Sequence, residues 1–382
     1  MNRRQLLRMV ALSPFLFNAR VYSIDHKELP VLILIELNGG NDTLNSYIPL
    51  NQLESYYRLR PKLGVGRDKM IDLDTDFALH PSLEPLKQSW LDGDFALIHG
   101  LGYEKPNKSH FRSIDIWDTA NKVDNGSMKG WLSNVIDGMG RSGLDSIVFG
   151  RNPGCVTGGM NRFIQFKNMA KFVKSSKSVM STNVTTSNDA LNSVISSQNY
   201  IHEGKKLLKS FSRDKKLLGS LFPRTTFGMN LSDICTLVQL NSGIPVYKLA
   251  LSGFDTHSKQ TAKHSQLLKQ LASGLNSLKN QLKISGHWEN TLIMTYSEFG
   301  RRAFQNGSGG TDHGTAATHL VMGGRVVGGH YGADPDIKYL VNNDMLYTTD
   351  FRHMYQTVIS DWWKKDYKIA TDTETLKFLK TI

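Results

Sequence analysis

The apolar positions of this chain follow two rhythms. After Pro30, Val31 to Ile35 are apolar without alternation and then meet Glu36, Leu37 and Asn38-Gly39-Gly40. That predicts a buried parallel strand ending in a tight loop. Phe95 to His99, PVYKLALS before GFDTH, NTLIMTY before SEFGR, and HLVMGG read as further short strands. Between them the spacing turns helical. Pro81 to Leu91 starts on a proline and stops at Gly93. Ser109 opens a stretch with Phe111, Ile114 and Trp117 on one side. Lys259 to Leu282 aligns Leu267, Leu268, Leu271, Leu275 and Leu278. Helices are also predicted from about Ser187 to Leu221, with breaks, and over 351–364 and 373–380. Residues 175–197, rich in Ser, Asn and Thr, begin as a loop or insertion. Strands alternating with helices predict an α/β chain with a mostly parallel sheet, whose ligands bind beyond the C-terminal strand ends.

Composition narrows this little. The 382 residues are 40% hydrophobic and 21% charged, a globular balance. The net charge of +12 admits anionic partners, but Lys and Arg are scattered and no nucleic-acid signature is present. Cys155 and Cys235 are too far apart in sequence for a thiolate metal motif; they are either one disulfide or two buried thiols.

The N-terminus does change the picture. MNRRQLLRMVALSPFLFNARVYS pairs Arg3 with Arg4 ahead of a short apolar run, Met9 to Phe17, too short to span a bilayer. It resembles a twin-arginine export signal over residues 1–23, leaving 24–382 as one domain outside the cytoplasm, periplasmic or secreted. No other apolar run approaches membrane-spanning length.

Candidate chemistry gathers at predicted strand ends. NGGND (38–42), FDTH (254–257), SEFGR (297–301) and GTDHG (310–314) bring Asp42, Asp255, His257, Glu298, Asp312 and His313, with His319 six residues on. Carboxylates and imidazoles without cysteine suit Zn, Mn or Mg, and each residue alone serves as well as a loop cap or ion-pair partner. Ser109 is a natural N-cap, and a hydroxyl there also sits in the helix's positive field. His110 follows it. Arg301 and Arg302 suit tetrahedral oxyanions or an ion pair with Glu298.

Together, the export signal, NGGNDTLN, YYRLRP, LHPSLEPL, KSHFRSIDIWDTA, GFDTHSKQ, TYSEFGRR and GTDHGTAATHLVMGG resemble the bacterial family of domain of unknown function 1501, over residues 1 to about 335. The resemblance implies an alkaline-phosphatase-like three-layer sandwich and a metal-dependent hydrolase of phosphate or sulfate esters. In that light Ser109 is the nucleophile. Asp42 (with Glu36 as alternative), Asp255, His257, Asp312, His313 and His319 (with His330 as alternative) hold one or two Zn or Mn ions. Arg301, Arg302 and His110 meet the anionic ester. The sulfatase formylglycine motif is absent around Ser109. The same fold as a non-catalytic periplasmic binding protein, recognising an anionic envelope polymer or a partner protein, is the alternative.

Overall fold

Nine strands form the central sheet of the computed structural model, which describes residues 29–121, 129–211, 218–370 and 373–381. The export signal predicted over 1–23 lies outside them. The strands are β1 (Val31–Asn38), β2 (Phe95–Gly102), β3 (Ser146–Phe149), β4 (Phe163–Phe166), β5 (Val246–Ser252), β6 (Thr291–Tyr296), β7 (Ala317–Gly323), β8 (Gly329–Tyr331) and β9 (Thr349–Asp350). Their order is β8-β2-β7-β6-β1-β5-β3-β4, with β9 added to β2. Every pairing is parallel except those of β7, which runs antiparallel to both β2 and β6.

Helices cover both faces, as the alternating pattern predicts. β1 shows why. Ile33, Ile35 and Leu37 point to one face, where Leu231, Ile234 and Leu237 of Thr226–Gln239 and the leucine row of Gln260–Ile284 bury them. Leu32 and Leu34 point to the other, against Trp117 of His110–Thr119 and Phe351, Met354 and Tyr355 of Phe351–Thr357. Cys155 lies in the second core and Cys235 in the first, so both are buried free thiols separated by the sheet. No helix of the described residues is long and apolar enough to cross a membrane.

Three local expectations change. Pro81–Leu86 is a 3-10 helix that becomes α-helical only over Lys87–Leu91, because Pro85 has no N–H to give an α-helical ladder. Helix Asp189–Phe211 starts within the Ser/Asn/Thr-rich stretch, whose residues 179–188 are irregular. No helix forms among the described residues of 373–380. There Phe378 and Leu379 are buried, Leu379 bridges Val326, and Lys377 sits at φ 58°, so tertiary burial overrides the local pattern.

Candidate metal centre

The four polar clusters meet at one edge of the sheet. NGGND follows β1, FDTH follows β5 and SEFGR follows β6. GTDHG instead precedes β7, and reaches the same edge because β7 runs the opposite way. Two glycines allow the loops to touch. A Cβ on Gly39 (φ 115°) would lie 2.3 Å from the Asp255 backbone nitrogen, and one on Gly310 would lie 2.3 Å from the His257 carbonyl carbon.

Three imidazoles and one carboxylate converge where the loops meet. Asp255 Oδ1 lies 3.0 Å from His257 Nε2, 3.4 Å from His313 Nε2 and 3.5 Å from His110 Nε2. His257 Nε2 and His313 Nε2 are 2.9 Å apart. Each ring is held from behind. His110 Nδ1 lies 2.8 Å from Glu298 Oε1, His257 Nδ1 3.1 Å from Asp312 Oδ1, and His313 Nδ1 2.8 Å from the Lys108 carbonyl oxygen. All three outer partners only accept, so the neutral rings carry their proton on Nδ1 and turn Nε2 lone pairs inward. His110 Nε2 is buried without a hydrogen-bond partner.

Four acceptors facing one another repel unless a cation lies among them. Ligand atoms about 2.0–2.2 Å from a tetrahedral ion stand about 3.3–3.6 Å from each other. The four separations given lie within about 0.7 Å of that range, and the ligand atoms of His110, Asp255 and His313 all lie within 4.8 Å of one another, so those three fit a divalent ion, with His257 against Asp255 and His313. His110 and His313 are largely covered, while Asp255 and His257 are nearly half exposed, so the centre faces solvent on one side.

The electrostatics fit the same picture. Burial works to raise Asp255, but Arg301, with the neighbouring imidazoles, holds its carboxyl at about 2. The Glu298 carboxylate raises His110, and burial lowers His313. Asn306 keeps Asp312 low by donating to its Oδ1 at 3.0 Å.

Several predicted site residues lie elsewhere or play another part. Asp42 is fully buried with Arg60 forked onto it (2.6 and 2.9 Å) and Gln260 donating to Oδ2, so its oxygens are already taken by protein donors. His319 is buried against Trp117, its Nδ1 3.5 Å from Thr295 Oγ1. Neither joins the cluster. Glu36 pairs with Lys248, and His330 with His99 and Asp74. Asp312 stands behind His257 as its orienting carboxylate. Arg301, expected to hold the transferred group, is buried and donates inward to the carbonyls of Gly39, Gly40, Phe254 and Thr311 and to Asp255 Oδ1 at 2.7 Å. It locks the loops and orients Asp255. Arg302 is partly exposed, 3.7 Å from Asp344.

Ser109 is the exposed N-cap of helix His110–Thr119, and its side chain makes no capping bond. Lys108 on one side and His110 on the other are both tied into the cluster, so the backbone holds Ser109 beside it. Glu298 was visible in SEFGR as a carboxylate, but its link to His110 was not. The Lys108 carbonyl carries no side-chain signal at all.

Residues 184–361 match the model of a family described as "Protein of unknown function (DUF1501)". No curated protein matches the chain. Among solved structures it is similar to Ps i-CgsB (12% identity, 91% of this chain and 75% of that one, TM-score 0.42). It is also similar to the PsFucS1 sulfatase from Pseudoalteromonas sp. (12%, 81% and 65%, TM-score 0.37). A third is a protein in the alkaline phosphatase superfamily from Vibrio parahaemolyticus (9%, 80% and 64%, TM-score 0.32).

Proposed function

We propose that this chain, whose residues 184–361 match the DUF1501 family, is an exported, metal-dependent hydrolase of phosphate or sulfate esters. The observation that carries the reading is the grouping of His110 and His313 with Asp255, joined on one side by His257, each ring oriented by an outer acceptor. These four residues would hold one divalent ion, of the Zn or Mn kind. Asp42, expected to complete a second site, is instead neutralised by Arg60. Bound in such a set, a divalent ion lowers the pKa of a coordinated hydroxyl and neutralises charge on the transferred group.

The chain's own residues do the rest. Ser109 offers a hydroxyl at the helix N-terminus, where unpaired N–H groups and the helix field favour an incoming tetrahedral anion. The pairing of Lys108 with His313 and of Glu298 with His110 fixes the tripeptide around it. Arg301 keeps Asp255 ionised and aimed. Arg302, at the surface beside Asp344, is the cation available to an entering ester. The twin-arginine stretch would take this centre across the inner membrane.

Elemental analysis of the purified protein, with hydrolysis of an aryl phosphate and an aryl sulfate, tests this. Near-stoichiometric metal, and turnover abolished in Ser109→Ala while the metal stays, is the expected result. Full turnover in Ser109→Ala removes the nucleophile role. No metal even after reconstitution leaves a non-catalytic binding protein on this fold.

A further inference from the structure

The ends of β1, β3 and β5 enclose a cleft of about 500 Å3 that the metal centre does not use. Its floor is a buried ion network. Lys248 Nζ lies 3.2 Å from Glu36 Oε2 and 3.4 Å from Asp118 Oδ1, and the Tyr296 hydroxyl donates to Asp118 at 2.9 Å. Asn152 Nδ2 donates to Asp118 at 2.7 Å. These groups satisfy one another and make a rigid floor.

The walls are not satisfied. Asn230, on helix Thr226–Gln239, is only 5% exposed and lines the cleft, yet its side chain has no hydrogen-bond partner among the described residues. Its amide atoms are not enclosed by protein, so they open onto the cleft, where water or a ligand can meet them. Its amide both donates and accepts, which is what a hydroxyl demands. Thr226 and Ser252 add hydroxyls to the lining. At the rim, Arg151 and Lys167 are exposed and make no ion pair among the described residues. An Arg fork suits carboxylate, sulfate or phosphate.

We infer that this cleft binds an acidic saccharide, with Asn230 reading its hydroxyls and Arg151 and Lys167 its anionic group. Asn38 and Ser252 of the lining directly precede Gly39 and Gly253; the Gly253 loop carries Asp255 to the metal centre, and Gly39 packs against the Asp255 backbone. The cleft can therefore hold one part of a substrate whose ester lies at that centre. As a substrate subsite it rests on the proposed function; as a binding site it does not.

Calorimetry with a heparin-derived sulfated tetrasaccharide, against neutral maltotetraose, tests the inference at about 0.15 M salt, where exposed charge is well screened. The full-length protein binds the sulfated sugar and not the neutral one. Asn230→Leu, and Arg151→Gln with Lys167→Gln, each weaken binding by about tenfold or more, a loss of the size a single lost polar contact gives. Circular dichroism and metal content of these variants stay at the wild-type values. An Asp255→Ala/His313→Ala protein still binds. No binding by the wild type, or undiminished binding by both cleft variants, overturns the inference, and turnover of small aryl esters would then still stand. Loss of metal and turnover with binding intact instead removes the hydrolase and keeps the cleft.

Discussion

His257 and His313 face each other through their Nε2 atoms at 2.9 Å, although each ring's Nδ1 is already engaged by an acceptor behind it. Two lone pairs so close form no hydrogen bond. The pair is stable as drawn only with a proton or a metal ion between them, and the expected outcomes below separate those cases.

Removing an inner ligand and removing an outer one differ in size. Asp255→Ala or His313→Ala abolishes stoichiometric metal. Asp312→Asn or Glu298→Gln keeps the ion but weakens it about 10–100-fold, because the ring behind which it stands is no longer oriented. Competition with a chromophoric chelator reads both. Equal affinity in all four variants would leave the pair merely sharing a proton.

Asp42→Asn destabilises the fold without emptying the site. Breaking a fully buried pair strands the Arg60 guanidinium, at a cost of about 3–5 kcal/mol. Denaturant unfolding shows the loss, and elemental analysis shows metal unchanged. A variant of ordinary stability that has lost its metal would return Asp42 to the ligand set.

Acid acts through buried histidines. Burial lowers His80 and His264 to about 4, and His99 and His319 to about 3. Each folded-state pKa lies below the unfolded value near 6.5, so the unfolded chain binds more protons between them. Their stabilising contribution is present above pH 6.5 and is lost as pH falls, at up to about 1.4 kcal/mol per pH unit for each ring. Thermal unfolding therefore drops steeply between pH 7 and 5. His319→Phe, which removes one ring without touching the metal centre, makes that slope shallower by one proton. An unchanged slope contradicts this account.

Gly39→Ala is expected to damage the site through backbone alone. Its Cβ would strike the Asp255 amide, and φ 115° suits no L side chain, so the β1 and β5 loops must part. Stability falls by about 1–3 kcal/mol and metal affinity falls with it. Wild-type affinity in this variant would mean the loops do not need their close approach.

Much of this was legible in the sequence, for a physical reason. Buried parallel strands are continuous apolar runs, so β1, β2, β5 and β6 stood out, and the loops after β1, β5 and β6 could be placed at one edge. Asp255, His257 and His313 followed from that. The direction of β7 did not, since an apolar run carries no sign of orientation. The role of His110 was hidden for a related cause: only a helix start brought beside Glu298 turns its ring inward. Arg60 sat unremarked in YYRLRP, and its fork on Asp42 appears only when helix Leu53–Leu59, which it caps, packs beside the loop after β1. Arg301 read as a partner for an oxyanion or for Glu298 because sequence does not display the four carbonyls that surround it.

The cluster's ligands come from stretches as distant in the chain as His110 and His313, joined only when β1, β5, β6 and β7 are side by side. No short segment presents two of the inner atoms in a fixed arrangement beyond FDTH. Loading thus comes after folding. A chain threaded unfolded through a membrane would take its ion from whatever the outer compartment contains. A chain carried across already folded, by the twin-arginine route proposed for it, would bring with it the ion selected inside the cell.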